Sequence, residues 1–428
     1  MTTNISTVNV VLPDLVIPRR ALALARRRLA AARVLVINGP RQSGKSAILA
    51  LLQRELGGSY LTLDAKSDLR MARTDPGGFV TAFDYPLFVD EVQRGGDPLV
   101  LAIKTEVDRA PDRGRFVLAG STRFLTEPRL SESLAGRVRF VDLWPLSQGE
   151  IDNGSDTFID RAFRTPSALL DERPPPFSRR EVFERVARGG FPEAVLAPSA
   201  IDRRDFFADY IRTITSRDVR ELADLEHTAR LRQIVRLIAA RTATELNYSD
   251  IARSVGVPIA TMRRYLPLFE TVYVHHVVPA WSRNLSSKVV QRPKLHMIDS
   301  GLASYLSGLD ADGMNRSPGS IVGQVFETFV VGELARQLTW SETDATMHHW
   351  RTRNGQEVDV VLEALTGAVV GIEVKAAVDI DEGEFSGLRL LRDKLGDEFV
   401  AGFVVHCGDR PRRFGDRLYS LPVSSLWT

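Results

Sequence analysis

The stretch Val34-Leu35-Val36-Ile37-Asn38-Gly39-Pro40-Arg41-Gln42-Ser43-Gly44-Lys45-Ser46-Ala47 decides how the first part of the chain folds. An apolar run ending in asparagine reads as a buried strand, Gly39 to Ser46 match G-x-x-x-x-G-K-[ST], and Ala47 to Leu56 read as a helix. Gly39 and Gly44 let the loop turn its backbone N–H groups inward around phosphates, and the helix N-terminus adds a dipole that favours negative charge. Lys45 is expected at the β- and γ-phosphates, and Ser46 places a hydroxyl on Mg²⁺. The expected nucleotide-binding residues are therefore Gly39, Pro40, Arg41, Gln42, Ser43, Gly44, Lys45, Ser46 and Ala47.

Outward from this motif, short β-rich runs (Val34–Asn38, Tyr60–Leu63, Leu87–Val89, Arg115–Leu118, Val138–Asp142) alternate with helical stretches, the pattern of a parallel sheet covered on both faces. Leu87-Phe88-Val89-Asp90-Glu91 is an apolar strand ending in two carboxylates. Asp90 is expected to hold the metal shell and Glu91 to polarise the attacking water. Phe116 to Thr122 ends in small polar residues, which makes Ser121 a candidate γ-phosphate sensor. Arg137, after Leu134-Ala135-Gly136, is a candidate arginine finger for this nucleotide or for that of a neighbouring subunit. A surface arginine is the competing reading, and Arg129 offers a similar guanidinium.

At 428 residues the chain is long enough for about three domains at roughly 150 residues each. Its 44% hydrophobic and 26% charged content is that of an ordinary globular protein. A formal charge of +2 means that nucleic-acid contact would have to come from local arginine clusters. The single cysteine, Cys407, excludes an intramolecular disulfide and a multi-cysteine zinc site, and reads as a small buried hydrophobe. With no signal-peptide order at the N-terminus and no uncharged run of about 20 apolar residues, a cytoplasmic chain without membrane contact is expected. Arg19 to Ala32 reads as a basic amphipathic helix.

Residues 151–200, rich in Asp, Ser and Pro around Pro174-Pro175-Pro176, read as a linker or lid after a first domain of residues 1–150. Residues 201–300 read as helical. Within them Tyr248 to Leu266 gives helix, glycine turn, helix, with Ser249 expected as the cap, Gly256 as the turn and Arg263 and Arg264 exposed. Strand-like runs Val272–Val278 and Lys288–His296 follow, so a winged-helix unit offering Arg263 and Arg264 to DNA is expected. The competing reading is a lid in which the same helices only pack on the nucleotide domain.

Residues 301–428 read as a second α/β domain. Asp359 sits in the run Val358–Leu362, and Glu373 and Lys375 share one face of Val369–Lys375. With Glu327 on the preceding helix, these make a candidate metal-dependent nuclease site in which carboxylates bind Mg²⁺ and the lysine orients water. Glu357 is a further candidate on that face, and a pair of strand-end acids with a solvated lysine is the competing reading.

Taken together, Gly39–Ser46, Phe88 to Gln93, Gly120-Ser121, Leu134 to Arg137, Asp299-Ser300-Gly301-Leu302, Phe326-Glu327 and Arg351-Thr352…Glu357-Val358-Asp359…Glu373-Val374-Lys375 resemble bacterial and archaeal AAA-type ATPases with a C-terminal domain similar to PD-(D/E)xK nucleases. The resemblance implies ATP as the nucleotide, an AAA-like core, a winged-helix middle and a restriction-endonuclease-like C-terminal fold. The proline of PD-(D/E)xK is replaced by Val358. The implied protein is an α/β multidomain ATPase associated with DNA and a candidate nuclease; the alternative is an ATP-dependent switch with a silent C-terminal domain. A homo-oligomer or a protein partner is also expected.

Overall fold

Five strands, β1 (Val34–Asn38), β2 (Ser59–Thr62), β3 (Leu87–Asp90), β4 (Phe116–Gly120) and β5 (Val138–Asp142), form a sheet in the order β2-β3-β4-β1-β5 with every pairing parallel. β1 is apolar throughout because both of its faces are covered. Val34 and Val36 join Leu87, Val89, Phe116 and Leu118 in one core, closed by Leu99, Ile103 and Val107 of helix Gly96–Arg109. Leu35 and Ile37 join Phe88, Val117 and Val141 in the other, closed by helices Arg20–Ala31 and Lys45–Leu56. Strand alternation thus divides one sequence run between two cores, each fully buried side chain contributing roughly 1.5–3 kcal/mol. The expected basic helix buries Ala21, Leu24, Ala25 and Leu29 and exposes Arg26 and Arg27, while half-buried Arg28 donates to Phe140 O.

From β1 the chain crosses to the edge strand β2, returns through β3 to β4 on one side of β1, and ends in β5 on the other. The carboxyl end of β1 is therefore the switch point of the sheet, where open α/β sheets bind ligands.

The computed structural model describes residues 17–110, 112–122, 134, 136–222, 228–282, 292–316, 319–352 and 354–428. The chain divides into two units, one of residues up to Pro145 with Thr271–Tyr273, the other Leu146–Glu270 with Val274–Thr428. The segments expected as separate middle and C-terminal domains lie together in the second unit.

The linker expectation for residues 151–200 is corrected. Ser147 and Glu150 form a capping box that starts helix Gln148–Asp152, and helices Phe158–Arg164, Arg179–Arg188 and Pro192–Leu196 follow. Phe158 packs edge-on against Phe403 at 5.5 Å. The Asp160 carboxylate accepts from Thr343 N and Thr343 Oγ1, each at 2.7 Å, and from Ser341 Oγ at 2.9 Å. The segment's longest stretch without regular structure, 171–178, spans Pro174 to Pro176. The segment is part of the second unit's core because short helices with few apolar residues bury them against distant partners.

In the same unit, β6 (Thr244–Glu245), β7 (His275–Val278) and β8 (Lys294–Met297) make an antiparallel sheet in the order β6-β8-β7. Helices Tyr248–Val255 and Ile259–Thr271 lie between β6 and β7 in the chain, and Gly256 takes the left-handed turn at φ 71°. The cap of the first helix is Asn247, which accepts from Asp250 N at 3.3 Å; Ser249, the expected cap, instead donates to Asn247 Oδ1 at 2.7 Å.

A six-stranded mixed sheet completes the unit: β9 (Ala345–Arg351), β10 (Glu357–Ala364), β11 (Val369–Lys375), β12 (Phe399–His406), β13 (Arg412–Gly415) and β14 (Leu418–Pro422), in the order β13-β14-β12-β11-β10-β9. Helix Ser320–Trp340 is buried without interruption from Val325 to Gln337, and the polar side chains in that stretch, Glu327, Glu333 and Arg336 among them, are buried with partners. Among the described residues no helix is long and apolar enough to cross a membrane.

Candidate functional site

The first candidate site is the carboxyl end of the parallel sheet. Gly44, in the left-handed region at φ 96°, caps helix Lys45–Leu56 without any side-chain bond, so the first N–H groups of the helix face the loop. A Cβ on Gly39 would lie 2.3 Å from Leu143 O, so only glycine permits the strand to turn there. Arg19 ties the loop down, donating to Ser43 O and Trp144 O at 2.6 Å each. Lys45 is buried and donates to Gly39 O at 3.1 Å and Pro40 O at 2.7 Å, which curls its ammonium back over the loop.

Asp90, at the end of β3, accepts from Ser46 Oγ at 2.5 Å and from Tyr60 OH at 2.9 Å. Burial, and then the Asp90 carboxylate, raise the Tyr60 pKa, so the hydroxyl remains a donor. Glu91 follows in the left-handed region at φ 53°, a conformation that costs a non-glycine residue roughly 1–2 kcal/mol. The strain is held by Glu91 N donating to Asp90 Oδ1 at 2.9 Å. Ser121 Oγ donates to Glu91 Oε2 at 3.0 Å, and Gln93 Nε2 donates to both of them.

Asn38 Nδ2, Ser43 Oγ, Gln93 Oε1 and Thr122 Oγ1 are buried without a hydrogen-bond partner among the described residues. Buried polar atoms of this kind ask for a polar ligand, and they lie at the end of β1, on the phosphate loop and just beyond β3 and β4. The oxygens of Ser46 and Asp90 suit Mg²⁺, which takes oxygen ligands and is usually held by one or two carboxylates plus phosphates. The residues present therefore fit a nucleotide with its magnesium.

Sequence reasoning missed Tyr60 and gave Gln93 no role beyond its place in the run Phe88 to Gln93. Neither contact follows a local spacing: Tyr60 reaches Asp90 across 30 positions and Gln93 reaches Ser121 across 28.

Arg137 is corrected as a finger for this nucleotide. Its carbonyl accepts from Val34 N, at the amino end of β1, and its guanidinium pairs with Asp108 at 2.5 Å. The loop follows the other end of the strand, five residues or about 16 Å away. Arg129 lies outside the described residues.

The carboxylates of the second unit do come together. Register places Asp359 opposite Glu373, since Val360 pairs with Ile372, and like charges directly opposed are unfavourable. Asp359 Oδ2 accepts from Val374 N at 3.0 Å, and Lys375 Nζ pairs with Glu373 Oε1 at 2.9 Å. Burial, then Asp359, push the Glu373 carboxyl up to about 8. The same two causes raise Glu327 well above the usual range.

Between them stands a residue the sequence did not offer. Lys294 Nζ, from β8, lies 2.9 Å from both Glu327 Oε1 and Asp359 Oδ1. Burial lowers its pKa, but the two carboxylates outweigh that and raise it. Glu357 stays outside the cluster, 3.9 Å from Arg351.

On helix Ile259–Thr271, Arg263 and Arg264 are exposed, along with Ile259, Ala260 and the preceding Pro258, while Met262, Tyr265, Leu266 and Phe269 are buried. Asp299 acts structurally: it caps helix Ser300–Leu306 through Leu302 N at 3.0 Å and accepts from Gly190 N at 2.7 Å.

Residues 31–152 match the family model of an AAA domain, and residues 179–313 and 322–426 match two domains of unknown function, DUF8612 and DUF4143. Over 413 residues the chain is 28% identical to the uncharacterized proteins Rv2008c of Mycobacterium tuberculosis and Mb2031c of Mycobacterium bovis, covering 96% of this chain and 84% of each of theirs. Among solved structures it is similar to the Walker-type ATPase PABY2304 of Pyrococcus abyssi, with 14% identity and a TM-score of 0.39 over 68% of this chain and 96% of that one. It is also similar to the RuvB Holliday junction branch migration motor of Thermotoga maritima, with 19% identity and a TM-score of 0.29 over 60% and 87%. Residues 31–152 thus match an AAA domain and carry a P-loop on a five-stranded parallel sheet, within a mixed α/β multidomain chain.

Proposed function

We propose that the chain is a cytoplasmic Mg·ATP-hydrolysing switch that engages DNA. The observation that carries the reading is the Ser46 to Asp90 bond of 2.5 Å, with Glu91 held beside it by Ser121 and Gln93. Lys45 exchanges its loop carbonyls for phosphate oxygens, and the N–H groups opening helix Lys45–Leu56 take the remaining charge. Ser46 and Asp90 would hold the shell of a Mg²⁺ bound with the nucleotide, which would neutralise the charge that develops on the phosphates. Glu91 orients the attacking water, and Ser121 and Gln93 fix the carboxylate so that it does not have to be ordered during the reaction.

DNA engagement is supported by Arg263 and Arg264, exposed on the second helix of a helix-turn-helix that an antiparallel hairpin follows, as in a winged helix. The test is ATP turnover with and without duplex and single-stranded DNA at low and moderate salt. DNA should raise turnover in the wild type and not in Arg263→Ala/Arg264→Ala, with the effect falling as salt rises. No DNA shift at low salt, with turnover indifferent to DNA, would replace DNA with a protein partner.

A further inference from the structure

A nuclease-type centre would put a divalent cation among Glu327, Asp359 and Glu373, and these residues as they stand do not fit one. The Lys294 ammonium, with only 7% of its side chain exposed, lies between Glu327 and Asp359 at 2.9 Å from each. That spacing suits N–H···O bonds, whereas Mg²⁺ demands about 2.0–2.1 Å. A metal at that point would need the lysine to leave and both carboxylates to close in by about 0.8 Å.

Two further oxygens are also engaged. Val374 N–H occupies Asp359 Oδ2 and Lys375 occupies Glu373 Oε1, which leaves Glu373 Oε2 buried without a partner. Among the described residues no three His, Cys, Asp or Glu side chains are arranged to hold a metal ion.

We infer that Lys294 is the resident cation of this cluster: its ammonium joins Glu327 of helix Ser320–Trp340 to Asp359 of β10 and keeps divalent metal out. The two lysines lie against three carboxyls, two of which burial holds toward the neutral form, so the charge of the cluster is offset without a metal. Because β8 also belongs to the small sheet beside the helix-turn-helix, the ammonium fastens that sheet to the six-stranded one. Removing it leaves three hard oxygen donors in one buried place, a set that suits Mg²⁺ or Mn²⁺.

The test is Mn²⁺ titration of the nucleotide-free full chain, with free Mn²⁺ read by electron paramagnetic resonance. Any ion held in the first unit is common to all variants. Wild type should bind no ion that Glu373→Gln removes. Lys294→Gln should gain one ion per chain, at least roughly tenfold tighter than any cluster binding in wild type, and lose it again in Lys294→Gln/Asp359→Asn. Lys294→Arg, which keeps the charge, should gain none.

A wild-type ion lost in Glu373→Gln would overturn the inference, as would a folded Lys294→Gln that gains no ion. The wild-type comparison decides the matter even if Lys294→Gln does not fold.

Discussion

Glu333 lies on the buried helix Ser320–Trp340, 1% exposed, with Oε2 accepting from Gln148 N at 2.9 Å and Oε1 3.4 Å from Arg336 Nη1. Burial pushes its carboxyl up to about 8 from an ordinary 4.5, and Arg336 only partly opposes this. A carboxyl whose pKa is raised by folding stabilises the fold fully below about 4.5, and that contribution is lost as pH rises through about 8. Within this window the loss is about 1.4 kcal/mol per pH unit, or about 2 kcal/mol between pH 6.5 and 8. Glu333→Gln keeps an acceptor for Gln148 N–H and removes the titration. The variant should therefore gain about 2 kcal/mol on wild type over that interval, which at roughly 2–4 °C per kcal/mol is a relative rise of about 4–8 °C in melting temperature. The assay is thermal unfolding of both full-length proteins, without nucleotide, from pH 5 to 9. The slope carries the prediction, because a constant offset also reflects what Arg336 loses. Parallel curves across this range would refute the reasoning.

Ser121→Ala removes a donor to Glu91 and should lower kcat roughly tenfold to a hundredfold while KM for ATP stays nearly unchanged; steady-state kinetics decide this, and a change confined to KM would contradict the role. Arg137→Ala should retain turnover and leave the denaturant midpoint nearly unchanged, because its partner Asp108 is exposed to solvent and lies away from the nucleotide. Gly301→Ala should destabilise the second unit by about 1–3 kcal/mol in denaturant unfolding, since its Cβ would stand 2.8 Å from the Arg188 carbonyl.

The parts of this protein that can be read from its sequence are those whose causes are local. Val34 to Ser46 carry strand, turn and helix in adjacent residues, and β1 and helix Lys45–Leu56 form there. The pairing of Asp359 with Glu373 was also within reach, because two adjacent strands with period-two alternation leave little freedom of register. Lys294 was not. It meets Glu327 and Asp359 across 33 and 65 positions, so only the tertiary fold joins them. Arg137 falls away from this nucleotide for a related reason: the sequence shows that it precedes a strand, but the direction of β5 beside β1 decides which end of the sheet it occupies. Residues 151–200 failed differently, since helices of 5 to 10 residues are too short to show a period. Their stability comes from partners such as Phe403 and Thr343.

The central claim is that Asp90 and Glu91 serve an ATP bound at Gly39 to Ser46. The most direct measurement is Mg²⁺-dependent ATP hydrolysis by wild type and Glu91→Gln, with nucleotide binding measured alongside. The account predicts that Glu91→Gln binds ATP about as tightly as wild type and turns it over at least roughly a hundredfold more slowly. Equal turnover by the two proteins, or no turnover by wild type, would contradict it.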